Sequence, residues 1–141
     1  MGYRIDEETI VSNIKIKKIN LDIAFKDIKQ KFLNKKEKST RINIKEIINS
    51  KNFEDLINGL RWVVEFDENG DCISFFNHSL NIAEEDFLFH SLAPYMKDDS
   101  YIEYENETFI GNIKNIYKYK NFKVKHEVIE ISDEKDNLSY F

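Results

Sequence analysis

The chain has 141 residues, of which 41% are hydrophobic, 33% charged and 13% aromatic, and its net charge is −5. This composition, with one proline and four glycines, excludes a collagen-like or proline-rich protein, and its eleven phenylalanines argue against full disorder. A single cysteine excludes an intramolecular disulfide framework and an all-thiolate zinc site within one chain. The length predicts a single domain over residues 1–141.

The amino-terminal residues become acidic at Asp6, where a signal peptide would be apolar. No apolar run in the sequence approaches the roughly 18 residues that cross a bilayer. We therefore expect a cytoplasmic protein without a membrane partner.

The charges are distributed unevenly along the chain. Residues 15–51 contain 12 basic and 4 acidic side chains, whereas residues 61–112 contain 2 basic and 12 acidic ones. This division predicts a dipolar molecule whose ends attract different partners. The alternative is that both blocks are solvated surface, or that they face each other.

Helices are predicted in the first half of the chain, after a short strand around Ile14 and Ile16. Asn20 is a candidate N-cap for a helix that runs to about Asn34, and a second helical stretch covers about residues 43–60 with a break near residues 50–52. Apolar residues at helical spacing form the expected buried stripes of the two segments: Leu21, Phe25, Ile28 and Phe32 in the first, and Phe53, Leu56, Ile57 and Leu60 in the second.

Strands are predicted in the second half. Residues 62–67 and 72–76 flank an Asn69-Gly70 turn, which is a strong hairpin signal. A short helix over about 83–92 ends at Pro94, a strand over 100–105 turns at Asn106, and two further strands cover about 113–119 and 122–131. This order predicts an α+β fold in which helices (about 20–60) pack on a largely antiparallel, roughly five-stranded sheet (about 61–132) with one inserted short helix. Residues 133–141 are expected to form a frayed tail.

The residues that could carry catalysis are scattered. Asp86 and His90 stand four apart and are expected to meet on one helical face, whereas His78 and His126 have no evident partner. Cys72 lies in a predicted strand beside an aspartate, which favours a buried thiol over a reactive one. The sequence contains no metal, phosphate-binding or nucleophile motif. We therefore expect no catalytic residues, no cofactor and no metal, and a protein that is not an enzyme.

The acidic block offers a candidate binding surface. Alternation along the strand that begins near residue 100 places Glu103 and Glu105 on one face with Tyr101, while Ile102 and Tyr104 point inward. We expect the carboxylates to gather in one open acidic patch, whose mutual repulsion a basic partner would relieve. The predicted partner-binding residues are Tyr101, Glu103 and Glu105, with Asp98 and Asp99 just before them, and Glu65, Asp67 and Glu68 if the strands are adjacent.

Residues 61–107 resemble a group of small, acidic, uncharacterised bacterial proteins. The resemblance rests on the hairpin Trp62-Val-Val-Glu-Phe-Asp-Glu-Asn-Gly70 and on the run Leu88-Phe-His-Ser-Leu-Ala-Pro-Tyr-Met-Lys-Asp-Asp-Ser-Tyr-Ile-Glu-Tyr104. The glycine-rich turn and Trp-Arg-Trp strand of that group are replaced here by Asn106-Glu-Thr-Phe109 and Gly111-Asn-Ile113. Proteins of this size and character are often immunity proteins encoded beside secreted toxins, and the resemblance implies no catalytic residues.

The leading hypothesis is a protein-binding inhibitor, namely a cytosolic immunity protein that covers the active site of a cationic, nuclease-like toxin with its acidic surface. In this mechanism carboxylates stand in for phosphates, and Tyr101 supplies apolar contact area. The alternative is a nucleic-acid-binding regulator that uses Lys29, Lys35 and Lys36 together with the strands between Lys114 and Lys125. The sequence does not predict the oligomeric state.

Overall fold

The computed structural model describes residues 4–77, 83–108 and 111–131, and for residues 4–9 and 108 it describes the backbone only. It has the predicted α+β fold, and the predicted break in the second helical stretch is confirmed. The helices are α1 (Lys18–Asn34), α2 (Ile44–Asn49), α3 (Phe53–Gly59) and α4 (Glu85–Ser91), and α4 is followed by one 3-10 turn (Ala93–Tyr95) that contains Pro94. The predicted tail over residues 133–141 lies outside the described part of the chain.

The strands form two antiparallel sheets. They are β1 (Arg4–Asn13), β2 (Val63–Phe66), β3 (Cys72–Phe76), β4 (Tyr101–Thr108), β5 (Gly111–Lys120) and β6 (Lys123–Glu130). The larger sheet has the order β1-β4-β5-β6, and the predicted hairpin forms the two-stranded sheet of β2 and β3. Among the described residues, no helix combines the length and apolar character needed to cross a membrane.

The core lies between the helices and one face of the larger sheet. Phe89 of α4 is fully buried at its centre, with ring centroids 5.0 Å from Trp62 and 5.1 Å from Tyr117, both in edge-on contact. Residues of the predicted helical stripes complete the buried set: Phe25, Ile28 and Phe32 of α1, with Leu21 half-buried, and Phe53, Leu56, Ile57 and Leu60 in and just after α3. Helical spacing therefore identified most of the helical part of the core.

The start of α1 differs from the prediction, because the cap comes from elsewhere in the chain. The helix begins at Lys18, and the N-cap residue Lys17 makes no side-chain hydrogen bond. Instead, Asp71 Oδ1 accepts the Lys18 backbone N–H at 2.7 Å, and Lys15 Nζ lies 3.5 Å from the other carboxylate oxygen. The hydrogen bond from the Lys18 N–H, and to a smaller extent the charge of Lys15, hold the pKa of Asp71 below its ordinary value. Asn20, the predicted N-cap, lies inside the first turn.

The sheets also differ from the prediction. The strand β1 was not predicted, and the expected strand around Ile14 and Ile16 is reduced to a bridge in which Ile16 and Cys72 exchange backbone hydrogen bonds of 2.9 Å. The predicted sheet of roughly five strands is divided into four and two. The strand β4 continues past Asn106 to Thr108, because these residues remain paired with β5, and the buried Asn106 side chain accepts a 2.6 Å hydrogen bond from Asn115.

Candidate functional site

The two faces of β4 have the predicted characters. Ile102 and Tyr104 are buried against the helices, whereas Tyr101, Glu103 and Glu105 lie partly exposed on the opposite face. We call this opposite side of the larger sheet the outer face. In the antiparallel register, Tyr101 lies beside Lys118 of β5, Glu103 beside Ile116, and Glu105 beside Lys114.

A groove crosses the outer face at the end where β4 begins. Its volume is about 460 Å³, within the roughly 300–1,000 Å³ that is usual for ligand-binding clefts. Three predicted binding residues, Asp99, Tyr101 and Glu103, contribute to its wall. The remaining side chains of the groove include three that the sequence did not predict as part of this surface: Ile116, and Lys118 and Lys120, which the sequence assigned to the alternative of nucleic-acid binding. Their alternation along β5 could be read from the sequence, but their place beside β4 depends on the pairing register.

The outer face is not purely acidic, which corrects the expectation of an uncompensated acidic patch. Lys114 Nζ lies 3.6 Å from Glu103 Oε1, and these side chains are 37% and 23% exposed. Lys118 Nζ lies 3.0 Å from Glu127 on β6, and this contact lowers the pKa of Glu127. Both of these counter-ions come from β5 and not from the basic block of the first fifty residues. The surface therefore presents alternating charges, and these two carboxylates already have lysine neighbours.

The two aspartates before β4 lie beside the turn that joins β5 to β6. Both are exposed, and Asp99 adopts a left-handed conformation with φ of 70°. Asp98 Oδ1 accepts the backbone N–H of Asn121 at 2.8 Å, and the Asp99 N–H donates to the Tyr119 carbonyl at 2.9 Å. These contacts fix the acidic loop against the hairpin, and of the two aspartates Asp99 lines the end of the groove.

The other predicted acidic residues are not part of this surface. Glu65 and Asp67 belong to the β2–β3 hairpin and its turn, and β2 pairs only with β3 in the described part of the chain, so it is not adjacent to β4. Asp67 Oδ1 accepts the backbone N–H groups of Asn69 and Asp71 at 2.9 and 3.0 Å, which is a turn-forming role. Glu65 and Glu68 are exposed on this separate hairpin.

Two of the lysines proposed for nucleic-acid binding have structural contacts instead. Lys29 Nζ donates to the carbonyls of Ile48 and Ser50, both at 2.9 Å, at the end of α2. Lys35 pairs with Glu84, a carboxylate that is only 9% exposed, at the start of α4. Lys36 is exposed. The basic block of the sequence therefore supplies contacts between helices, as well as surface charge.

The histidine of β6 has partners that the sequence did not reveal. The Asn115 amide donates to Asn106, which turns its Oδ1 toward His126 Nε2 at 2.8 Å. Consequently Nε2 carries a hydrogen, and Nδ1 faces Asp86 Oδ1 at 3.7 Å. Burial lowers the pKa of His126, against the opposing effect of the Asp86 charge. The expectation that His126 has no partner is therefore wrong.

The Asp86 carboxylate also contacts side chains of α4 and β5. Asp86 Oδ1 accepts the Tyr117 hydroxyl at 2.9 Å and lies 3.3 Å from His90 Nδ1, so the predicted Asp86–His90 contact is confirmed. This cluster joins α4 to the sheet. No group of three or more His, Cys, Asp or Glu side chains in the described ranges is arranged to hold a metal ion. His78 lies outside those ranges.

Cys72 is fully buried, and desolvation raises its pKa to about 12. A thiol with such a pKa remains protonated at neutral pH and is a poor nucleophile. The predicted buried thiol is confirmed.

Comparison with known proteins gave no relative. No family model matches the chain, and no curated protein or solved structure does so either.

Proposed function

We propose that the protein is a protein-binding inhibitor of the immunity-protein kind, which neutralises a cationic, nuclease-like toxin by covering its active site. The interface is the outer face around the groove, with the carboxylates of Asp98, Asp99 and Glu103 in the place of nucleic-acid phosphates. Tyr101 supplies a rigid aromatic surface between them, as is common at the centre of protein interfaces.

The observation that supports this proposal is the groove itself. One concave surface holds Asp99, Tyr101 and Glu103. Strand alternation had predicted that Tyr101 and Glu103 share a face. An aromatic ring flanked by carboxylates offers both apolar area and charge to a basic side chain. The net charge of −5 further favours the approach of a cationic partner.

The lysine beside Glu103 does not prevent such binding. The Lys114–Glu103 pair is long, at 3.6 Å, and both side chains remain partly exposed. Ion pairs of this kind contribute at most about 1 kcal/mol, because water and salt screen them. An arginine of a partner can form two parallel hydrogen bonds to the same carboxylate, which a lysine cannot. Lys114 is therefore an exchangeable counter-ion.

The test measures association with the protein encoded by the neighbouring gene, at low and high salt. Binding is expected to weaken as salt increases, and Glu103→Lys with Glu105→Lys should weaken it at least about tenfold. The matched control is Glu65→Lys with Glu68→Lys, which makes the same charge change on the separate hairpin and should leave affinity nearly unchanged. If the two double variants weakened binding equally, the assignment of the interface to the outer face would be contradicted.

A second candidate function is nucleic-acid binding by the β5–β6 hairpin. Lys120, Lys123 and Lys125 are exposed around Phe122, whose side chain is 72% exposed. Lysines and an exposed aromatic ring together are typical of single-strand binding, in which phosphates pair with lysine and bases stack on the ring. Retention of a labelled oligothymidylate at low salt, lost on Phe122→Ala, supports this function, and no retention at low salt excludes it.

A further inference from the structure

The strand β6 forms one edge of the larger sheet. Among the described residues it pairs only with β5, through an antiparallel register that begins at Lys120 and Lys123. The backbone groups of such a strand point alternately toward and away from the neighbour. Ile131, which follows β6, donates its N–H to the Asn112 carbonyl at 3.2 Å. The backbone N–H and C=O groups of the odd-numbered residues therefore point toward β5. The N–H and C=O groups of Val124, His126, Val128 and Glu130 therefore point away from the sheet.

Within the described part of the chain this edge is unpaired, and it carries two exposed apolar residues among its charges. Val128 and Ile129 are 56% and 44% exposed, on opposite faces of the same strand. Exposed apolar residues on an edge strand favour pairing with another strand, and natural proteins usually protect such edges with charge. The charges on β6 are divided between its halves, with Lys123 and Lys125 in the first and Glu127 and Glu130 in the second.

That division makes β6 complementary to itself when two copies run antiparallel. The outward groups belong to even-numbered residues, so an even-numbered residue of one copy must face an even-numbered residue of the other. With His126 facing His126, Lys125 of each copy faces Glu127 of the other. In the same register Val124 faces Val128. A shift of two residues in one direction places Lys125 against Lys125, while Lys123 then faces Glu127, and a shift in the other direction places Glu127 against Glu127. Each shifted register thus contains a repulsive like-charge pair that the register centred on His126 does not.

We propose that β6 pairs with β6 of a second copy of this chain, centred on His126, so that two four-stranded sheets form one continuous sheet. The interface is isologous, with each charge pair occurring twice about the twofold axis. Glu127 then lies between Lys118 of its own chain and Lys125 of the second copy. The outer face stays open on both copies, so this inference is independent of the proposed function.

The test is sedimentation velocity from micromolar to millimolar protein. The wild-type chain is expected to shift from monomer to dimer with increasing concentration. Lys125→Glu and Glu127→Lys should each weaken the dimer at least about tenfold, because each places like charges opposite one another twice. A mixture of the two variants should dimerise again, since opposite charges then face each other in both pairs of the heterodimer. Lys36→Glu, a charge reversal on an exposed site outside β6, should leave the dimer unchanged.

A second variant keeps the test independent of charge and folding. Val128→Pro removes an outward N–H while leaving the pairing to β5 intact, and it should abolish the dimer without changing the circular dichroism spectrum. A wild-type chain that stays monomeric at millimolar concentration would overturn the proposal. A dimer that Lys125→Glu and Val128→Pro leave unchanged, or that the mixture of charge variants fails to restore, would overturn it equally.

Discussion

The rings of Tyr117 and His126 stack face to face, with centroids 4.1 Å apart and planes within 7°. Together with the hydrogen bond to Asn115, this stacking holds the imidazole between β5 and α4, where burial lowers the pKa of His126 below its ordinary value of 6.5. The folded state therefore disfavours the protonated ring, and protonation of this residue acts against folding.

Stability is consequently expected to depend on pH near the histidine range. Below pH 6.5 the unfolded chain takes up a proton on His126 more readily than the folded chain. The stabilisation of the fold by the neutral His126 ring is therefore present above pH 6.5 and is lost as the pH falls below it. Urea unfolding at a series of pH values should show that the free energy of unfolding decreases less with falling pH in His126→Gln than in the wild type. Identical decreases would show that His126 is not the titrating group.

The ion pair between Lys35 and Glu84 should be important for stability. Glu84 is only 9% exposed and also accepts the Ser39 backbone N–H at 2.7 Å, so removal of the lysine leaves a buried carboxylate undercompensated. Lys35→Met is expected to lower the free energy of unfolding on the order of 2–3 kcal/mol. Lys26→Met is the control, because the Lys26–Asp22 pair is about 70% exposed and should contribute below about 0.5 kcal/mol. Similar effects from both variants, measured by urea unfolding, would contradict this account.

Phe122 occupies a turn position that suits glycine. It has φ of 64° and follows Asn121 with φ of 54°, so both turn residues are left-handed. Because Asn-Gly is the preferred sequence for such a turn, Phe122→Gly should stabilise the fold by about 1 kcal/mol. Phe122→Ala keeps the Cβ and should change stability by less than about 0.5 kcal/mol. Thermal or urea unfolding of both variants separates relief of backbone strain from loss of the ring. A destabilised Phe122→Gly variant would show that the ring makes contacts that stabilise the fold.

Cys72 should be unreactive in the folded protein. Its side chain is fully buried, and the pKa of about 12 keeps it protonated at neutral pH. Labelling with a thiol-specific disulfide reagent should therefore be slow in buffer and rapid in denaturing urea. Rapid labelling without denaturant would mean that β3 opens readily.

Local patterns predicted the elements well where the signal lies within a few residues. The spacing of Phe25, Ile28 and Phe32 identified the buried face of α1, and the Asn69-Gly70 turn identified the hairpin. The cap of α1 could not be predicted in this way, because Asp71 reaches Lys18 across 53 positions of the chain.

The candidate site shows the same difference between features that local sequence predicts and features that depend on distant parts of the chain. Alternation along β4 separated Tyr101 and Glu103 from Ile102 correctly. The lysines beside them depend on how β5 pairs with β4, which no local pattern specifies. For that reason the sequence predicted an acidic patch where the structure has alternating charges.

The proposal that the outer face of β4 binds a cationic toxin is tested most directly by survival of cells that express the protein encoded by the neighbouring gene, which the proposal takes to be that toxin. The wild-type chain should protect, and so should the variant with Glu65→Lys and Glu68→Lys. The variant with Glu103→Lys and Glu105→Lys should fold, as judged by circular dichroism, and fail to protect. Full protection by that folded variant would contradict the claim.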